Sequence, residues 1–336
     1  MTQAGEPVAK AQEPRGGLIW SILGQYGTLI VLGGLFVTFS VAEPKAFPTS
    51  QNLLNVLNQV ALQAIIAGGV TLVLVANEFD LSIGYQASFA GVIATGLIAF
   101  SGLPIPVAVC VAILVGAVIG LCNGLIVTKL GVNALIATLG TGTVVVGINY
   151  AYSQGQPIIL PLNTEFTQLS LARLLGVPIA VWIMAFVLVA LWALLNHTPL
   201  GQNMQAVGGN REAAGLAGVR VHRTIIYAFV ITGMCAALTG VLLAARLGSG
   251  QITGGDGYLL NAFAAVFLGS AALRDGEFHI LGTFIGVLTV GVGLNGISIM
   301  GAPIFINFVF SGALLIGAVA LSTLARRYGP RARRGY

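Results

Sequence analysis

Ten stretches of this chain run for about 20 residues each with almost no charge, at 18–41, 60–77, 82–101, 105–128, 133–151, 177–195, 224–245, 258–273, 280–299 and 303–325. That feature decides the class of fold. A backbone amide inside hydrocarbon has no water to bond, so a segment of this length must close its hydrogen bonds within itself, as a helix. The chain cannot cover a water-facing surface, because 57% of its residues are hydrophobic and 7% are charged. A soluble domain carries roughly a quarter charged residues. The 46 glycines suit helices that approach closely in lipid. The expectation is an all-α polytopic membrane protein of about ten transmembrane helices, with an N-terminal tail at 1–17, one membrane domain at 18–325 and a basic tail at 326–336. Between the second and third stretches only Asn77-Glu78-Phe79-Asp80 intervenes.

Basic residues orient such helices, since Lys and Arg collect on the cytoplasmic side. With the N-terminus inside, Lys10, Arg15, Lys129, Arg211, Arg220, Arg223, Arg274, Arg326, Arg327, Arg331, Arg333 and Arg334 all fall in the cytoplasm, and only Lys45, Arg173 and Arg246 fall outside. This bias requires an even number of spans and puts both termini inside. His197, His222 and His279 lie on the same side. The pI of about 9.3 therefore reflects orientation, and nucleic acid is not expected as a partner. The polar start has no short apolar core followed by a small-residue cleavage site, so a signal peptide is not expected.

A faint repeat runs through the chain. Gly84-Tyr85-Gln86-Ala87-Ser88-Phe89-Ala90-Gly91-Val92 resembles Gly257–Val266 with one gap, and an Asp precedes each, Asp80 and Asp256. Gly116-Ala117-Val118-Ile119-Gly120 resembles Gly282-Thr283-Phe284-Ile285-Gly286. The offset is five spans, so spans 2–5 and 7–10 form a candidate inverted repeat, an arrangement typical of transporters.

The chain lacks the motifs of an enzyme. No Walker A loop, His-Glu-x-x-His, Gly-x-Ser-x-Gly or Cys-x-x-Cys occurs. Cys110, Cys122 and Cys235 sit in apolar runs with no pairing or metal-ligand pattern, and read as small core residues. An ion-driven carrier usually holds ionisable groups near the bilayer centre. Here Glu78 and Asp80 map to the inner edge and Asp256 to the outer edge. What the interior offers is neutral: Asn123, Thr138, Asn149, Asn261, Asn295 and Asn307. As a set they suit an uncharged polyhydroxylated solute. Taken singly, each is better explained by a hydrogen bond between helices.

Between His197 and Arg223 lie six titratable groups, with a short stretch that reads as a helix. Gly208-Gly209 break the chain, Asn210 can cap, Glu212 sits where a helix favours negative charge, and Gly218 can end the element. Such a helix is about 10 Å long and would not persist alone. Either it is an incidental turn in a solvated connection, or it docks against another surface.

Here the residues carry a resemblance. Ala206-Val207-Gly208-Gly209-Asn210-Arg211-Glu212-Ala213-Ala214-Gly215-Leu216-Ala217-Gly218-Val219 resembles the cytoplasmic loop of the ribose-type permeases, the membrane subunits of bacterial carbohydrate ABC importers. Phe79-Asp80-Leu81-Ser82-Ile83-Gly84 is similar to that family's Asp-Leu-Ser-Val-Gly motif. Asn123–Val127, Leu135–Gly140, Ala245–Ser249 and Thr253–Tyr258 match further motifs in order, so the likeness covers nearly the whole chain. It implies a multi-pass inner-membrane protein that is not an enzyme and carries no cofactor. ATP would be used by a partner subunit with two nucleotide-binding domains. A second permease copy or paralogue and a periplasmic sugar-binding protein complete the implied assembly. It implies that residues 196–223 are the coupling loop, with Gly208, Gly209, Asn210, Arg211, Glu212, Ala213, Ala214, Gly215, Leu216 and Gly218 at the ATPase, Arg211 and Glu212 facing it. Asp80, Ser82, Gly84, Asp256 and Tyr258 become candidates for gating.

The chain departs from the family where Tyr258-Leu259-Leu260-Asn261-Ala262 replaces a Tyr-Glu-Leu-Asp-Ala pattern, where Arg274–His279 replaces a Gly-rich turn, and where Glu78 adds a charge beside Asp80. The alternatives are a permease of the branched-chain amino-acid type, an ion-coupled carrier and an intramembrane enzyme. The last lacks a catalytic constellation.

Overall fold

The apolar stretches do become helices. The computed structural model describes residues 16–160, 164–270 and 276–328. In order the chain forms α1 (Gly16–Ala42), α2 (Ser50–Val75), α3 (Ile83–Ser101), α4 (Ile105–Lys129), α5 (Ala134–Ser153), β1 (Ile158–Ile159), α6 (Thr164–Leu171), β2 (Arg173–Leu174), β3 (Val177–Pro178), α7 (Ile179–His197), α8 (Pro199–Gly209) and α9 (Arg211–Leu216). Then follow α10 (Val221–Leu247), β4 (Ser249–Gly250), α11 (Asp256–Ser270), α12 (Ile280–Ile299) and α13 (Phe305–Tyr328). Each expected span coincides with one helix. Among the described residues seven of these, α2–α5, α7, α10 and α12, are long and apolar enough to cross a membrane. The tail residues 1–15 and 329–336, the turn residues Arg274 and Asp275, and the end of the eighth expected span lie outside the described residues.

α2 begins at Ser50, well before the expected start at 60, because Thr49 caps it by accepting from the Asn52 amide at 3.2 Å. Its polar first turns hid it from a reading based on apolar residues. Asn52 is buried and pairs with Asn295 of α12 in both directions, at 2.9 and 3.2 Å.

α2 and α10 form the centre. α10 packs on α2, α3 and α4, while α2 packs on α7, α11 and α12. Side-chain hydroxyls stitch the central pair: Thr232 donates to the Gly69 carbonyl at 2.8 Å and Thr239 to the Leu62 carbonyl at 3.2 Å. Gly116, Gly120 and Gly124 recur every fourth residue on α4 and so share one face. A Cβ there would overlap the Gly233 and Phe229 carbonyl oxygens and lie 2.9 Å from Ile226 Cα. Small residues at this spacing let the backbones of α4 and α10 touch. Gly282 and Gly286 face Gly269 and Ala265 of α11 instead, so the two glycine motifs of the sequence repeat do not occupy matching contacts.

Cys235 is buried, but Cys110 and Cys122 are exposed on α4 and are not core residues. That face also presents Leu114, Val118, Leu121 and Leu125 outward. At one end of the bundle β1 pairs antiparallel with β4, Ile158 opposite Gly250. The other end carries α8 and α9.

The largest departure from expectation concerns depth. Asp80 and Asp256 were assigned to opposite edges, yet the starts of α3 and α11 meet. A Cβ on Gly255 would lie 2.5 Å from the Gly84 carbonyl oxygen. Ser88 accepts from the Gly255 amide and donates to Asp256 Oδ1, both at 2.9 Å. Gln86 Oε1 lies 3.0 Å from where a Gly233 Cβ would be, and Gly233 is at mid-length of α10. The 76–82 and 251–255 connections therefore fold into the bundle, each backed by side chains from other helices. Non-helical backbone at this depth is tolerated where protein surrounds it.

Candidate functional site

Thr198 opens α8 by accepting from the Gly201 amide at 3.2 Å, with Pro199 at the first helical position. Gly208 and Gly209 do not break the chain as expected; they are the last residues of α8. Gly208 is required for space, since a Cβ there would overlap the Val75 carbonyl oxygen and lie 3.0 Å from its carbon. The break falls at Asn210, which is extended, and its side chain accepts from the Ala213 amide at 3.0 Å to start α9.

α9 ends as its sequence indicated. Gly218 has φ +87, its amide donates to Gly215 at 3.0 Å, and Val219 donates to Ala214 at 3.0 Å. That is the Schellman pattern, which needs the left-handed residue glycine supplies. Ala214 is the one buried residue of α9. Glu212, Ala213, Gly215 and Leu216 are exposed, Leu216 at 92%. A leucine in that position gains nothing from this chain.

Arg211 is exposed, its side chain 44% accessible, and it also reaches back into the protein. Its guanidinium donates to Glu78 Oε1 at 2.6 Å and to the Asn77 carbonyl at 3.4 Å. Burial pushes the Glu78 carboxyl above its ordinary value, and the Arg211 charge pulls it part of the way back. The reason sequence missed the pair is distance along the chain. Glu78 lies in the α2–α3 connection, and only the fold brings it to α9. Beside them, a cavity of about 550 Å³ opens between Asn77, Asn196, Gln205 and Phe278.

Asp80 is 1% exposed. Its Oδ1 accepts from the Ser82 amide at 2.9 Å and from the Ser82 hydroxyl, with Asn123 Nδ2 at 3.5 Å. Asn123 donates to Ser82 Oγ at 2.9 Å, as does Gln86 at 2.6 Å. Thr138 Oγ1 accepts from the Leu81 amide at 3.0 Å. Asn149 donates to the Ile252 carbonyl at 3.0 Å. Asn123, Thr138, Asn149 and Asn295 thus all have partners within the protein, three of them holding the inward-folded connections. Asn261 is half-buried on α11, and its side chain makes no hydrogen bond among the described residues. Asn307 Oδ1 is buried without a partner among them. Gly84 and Asp256 line the meeting of α3 and α11, and Tyr258 packs against the core nearby.

The sequence matches known proteins over most of its length. The family model described as "Branched-chain amino acid transport system / permease component" matches residues 52–319. The ribose import permease protein RbsC of Escherichia coli K12 is 38% identical over 299 residues, 87% of this chain and 91% of its own. RbsC of Bacillus subtilis 168 is 36% identical over 301 residues, 89% of this chain and 93% of its own. The L-arabinose transport system permease protein AraH of Escherichia coli K12 is 34% identical over 318 residues, 95% of this chain and 94% of its own. No solved structure matches the chain.

Proposed function

The chain belongs to the family of ABC-importer permease components described for that model, and from this premise we propose that it is the membrane subunit of an ATP-driven importer for a sugar. The observation that carries the sugar class is the identity of 34–38% over most of the chain to ribose and arabinose permeases. The family model's own description favours branched-chain amino acids, so that solute class is the second reading.

ATP hydrolysis belongs to a separate chain, which docks on α9. Two features support this: the exposed Leu216 and Glu212 on a helix too short to persist alone, and the capping at both ends that holds its shape. A sugar-binding protein approaches the opposite end, where β1 and β4 pair. A second permease chain, copy or paralogue, completes the pore. The outward apolar side chains of α5, among them Ile136, Leu139 and Val144, offer a surface for it. All ten helices cross the inner membrane, with both termini and α9 in the cytoplasm, on the strength of the basic-residue bias.

The inverted repeat is supported by how the helices start. α3 and α11 both begin inside the bundle, and Gly84-Tyr85 and Gly257-Tyr258 hold matching positions in their first turns. α10 packs on α3 and α4 as α2 packs on α11 and α12. Alternating access then consists of the two halves exchanging roles about the α3–α11 contact. Helix N-termini carry partial positive charge, and two of them meet here. Asp256 lies at one of them.

The test is reconstitution of the permease with its ATP-binding subunit and binding protein in liposomes. Uptake of D-ribose, L-arabinose, D-allose and L-leucine is compared with and without ATP. ATP-dependent uptake of a sugar is expected. Uptake by the permease alone, without ATP, would show a self-sufficient carrier instead, and uptake of leucine alone would favour the second reading.

A further inference from the structure

Five consecutive residues after α2 are each tied to a different element. Glu78 takes Arg211 of α9 at 2.6 Å. Phe79 stacks on Phe263 of α11, ring centroids 6.1 Å apart and planes at 18°. Asp80 receives Asn123 of α4 at 3.5 Å, and the Leu81 amide donates to Thr138 of α5 at 3.0 Å. Ser82 opens α3 and accepts from its Gln86 at 2.6 Å. At the upstream end the Asn77 and Glu78 amides bond the Leu74 and Val73 carbonyls of α2, both at 3.0 Å.

We propose that this turn, residues 77–82, is the transmission element of the permease, carrying displacement of α9 to α4, α5 and α11, with Glu78 the positioning residue that joins it to α9. The proposal rests on the reading of α9 as the ATPase-docking helix.

Stiffness decides the route. The covalent connections on either side of α9 are compliant. Gly209 and Gly218 both sit in open space, and residues 215–218 are exposed. A push on α9 can be absorbed there by backbone rotation. The turn has no such slack. Glu78, Asp80 and Ser82 are buried, at 6%, 1% and 0% exposure. Asn77 holds a left-handed φ of 58, a conformation Asn tolerates better than most residues. Glu78 is the buried partner of its ion pair, so parting it from the half-exposed Arg211 strands the carboxylate away from water. Phe79 adds a steric link, since a stacked aromatic ring moves with its partner. The turn therefore touches the helix that bears the load and three helices that must move, over six residues.

A pin that merely held α9 in place would show the same Arg211–Glu78 bond. The two roles separate in the ratio of sugar imported to ATP hydrolysed. The experiment uses the full complex in liposomes, with whichever of D-ribose, L-arabinose and D-allose the wild type imports, and records retention of the ATP-binding subunit alongside. Coupling energies between sites are typically worth about fivefold or more. Glu78→Gln is expected to lower uptake per ATP by about that factor with the ATP-binding subunit retained, and the exchange Glu78→Arg with Arg211→Glu should recover much of the loss. Thr138→Val should lower the ratio in the same way, while Thr138→Ser, which keeps the hydroxyl, should not.

The proposal is overturned if Glu78→Gln and Thr138→Val both keep the wild-type ratio. It is overturned equally if the ratio falls only in proportion to lost ATP-binding subunit. Should Glu78→Gln fail to accumulate in the membrane, the Thr138 pair decides, because Thr138→Val preserves shape. A wild-type complex that imports none of these sugars with ATP defeats the functional reading itself, a separate result.

Discussion

Replacing Gly120 with alanine puts a methyl group where α10 already is. The new Cβ would overlap the Phe229 carbonyl oxygen and lie 2.8 Å from its carbon and 2.9 Å from Val230 Cα. All three are backbone atoms, so no side chain can rotate away. Carbon atoms pack at about 3.5–4.0 Å, so α4 and α10 must separate by about 1 Å. Overpacking of this kind costs about 1–3 kcal/mol. Alanine also favours the helix over glycine by up to about 1 kcal/mol, which would mask part of the loss. Gly140 removes that ambiguity. It is a helical glycine of α5 with nothing within 4 Å of its would-be Cβ. Gly140→Ala carries the propensity gain without the clash, so the difference between the two variants isolates the clash. That difference should be about 1–3 kcal/mol. It is read from unfolding in increasing sodium dodecyl sulfate, followed by tryptophan fluorescence. Equal unfolding midpoints for Gly120→Ala and Gly140→Ala would refute close packing of α4 on α10.

Leu216→Glu changes a fully solvated residue, so it should move the permease's own stability by no more than about 0.5 kcal/mol. It should nonetheless sharply reduce recovery of the ATP-binding subunit with the permease, and full recovery would count against docking at α9. Asn295→Leu leaves Asn52 short of its partner and should cost about 1–3 kcal/mol of stability while leaving sugar preference unaltered. Asn261→Asp should do the reverse, altering uptake or preference at little cost in stability, as measured by competition among the three sugars. If neither uptake nor preference moves, Asn261 is structural.

What could be read along the sequence was whatever depends on local order. Apolar length located every long helix, and Asn210 and Gly218 bounded α9, because caps act over a few residues. Gly208 was misread for the complementary reason. A glycine can be chosen for flexibility or for a close neighbour, and its neighbour, Val75, is far away in the chain. The depth of Asp80 and Asp256 was misjudged because a hydropathy scan assumes polar connections lie at the surface. Here both fold inward, where Asn123, Thr138, Ser88 and Asn149 satisfy them. Asn123, Thr138 and Asn149 suit a polar path only when taken as a set; taken singly, each reads as a hydrogen bond between segments of the bundle, which is the part these three play here. The exposed Cys110 and Cys122 followed the same error, since an apolar run in lipid has an outer face as apolar as its inner one. The polar start of α2, with Asn52 waiting for Asn295, was hidden because its partner lies in α12.

The inward-folded connections also bear on how the chain is made. Synthesis proceeds from the N-terminus, and the two turns meet it differently. When the 251–255 turn arrives, Ser88 and Asn149 are already in the membrane to receive it. When the 77–82 turn arrives, Asn123 and Thr138 have yet to be translated. α2 and α3 therefore cannot be released into lipid as a finished hairpin. The first unit that can leave the insertion machinery with that turn's bonds to α4 and α5 made ends at α5, whereas α11 can join a half that is already built.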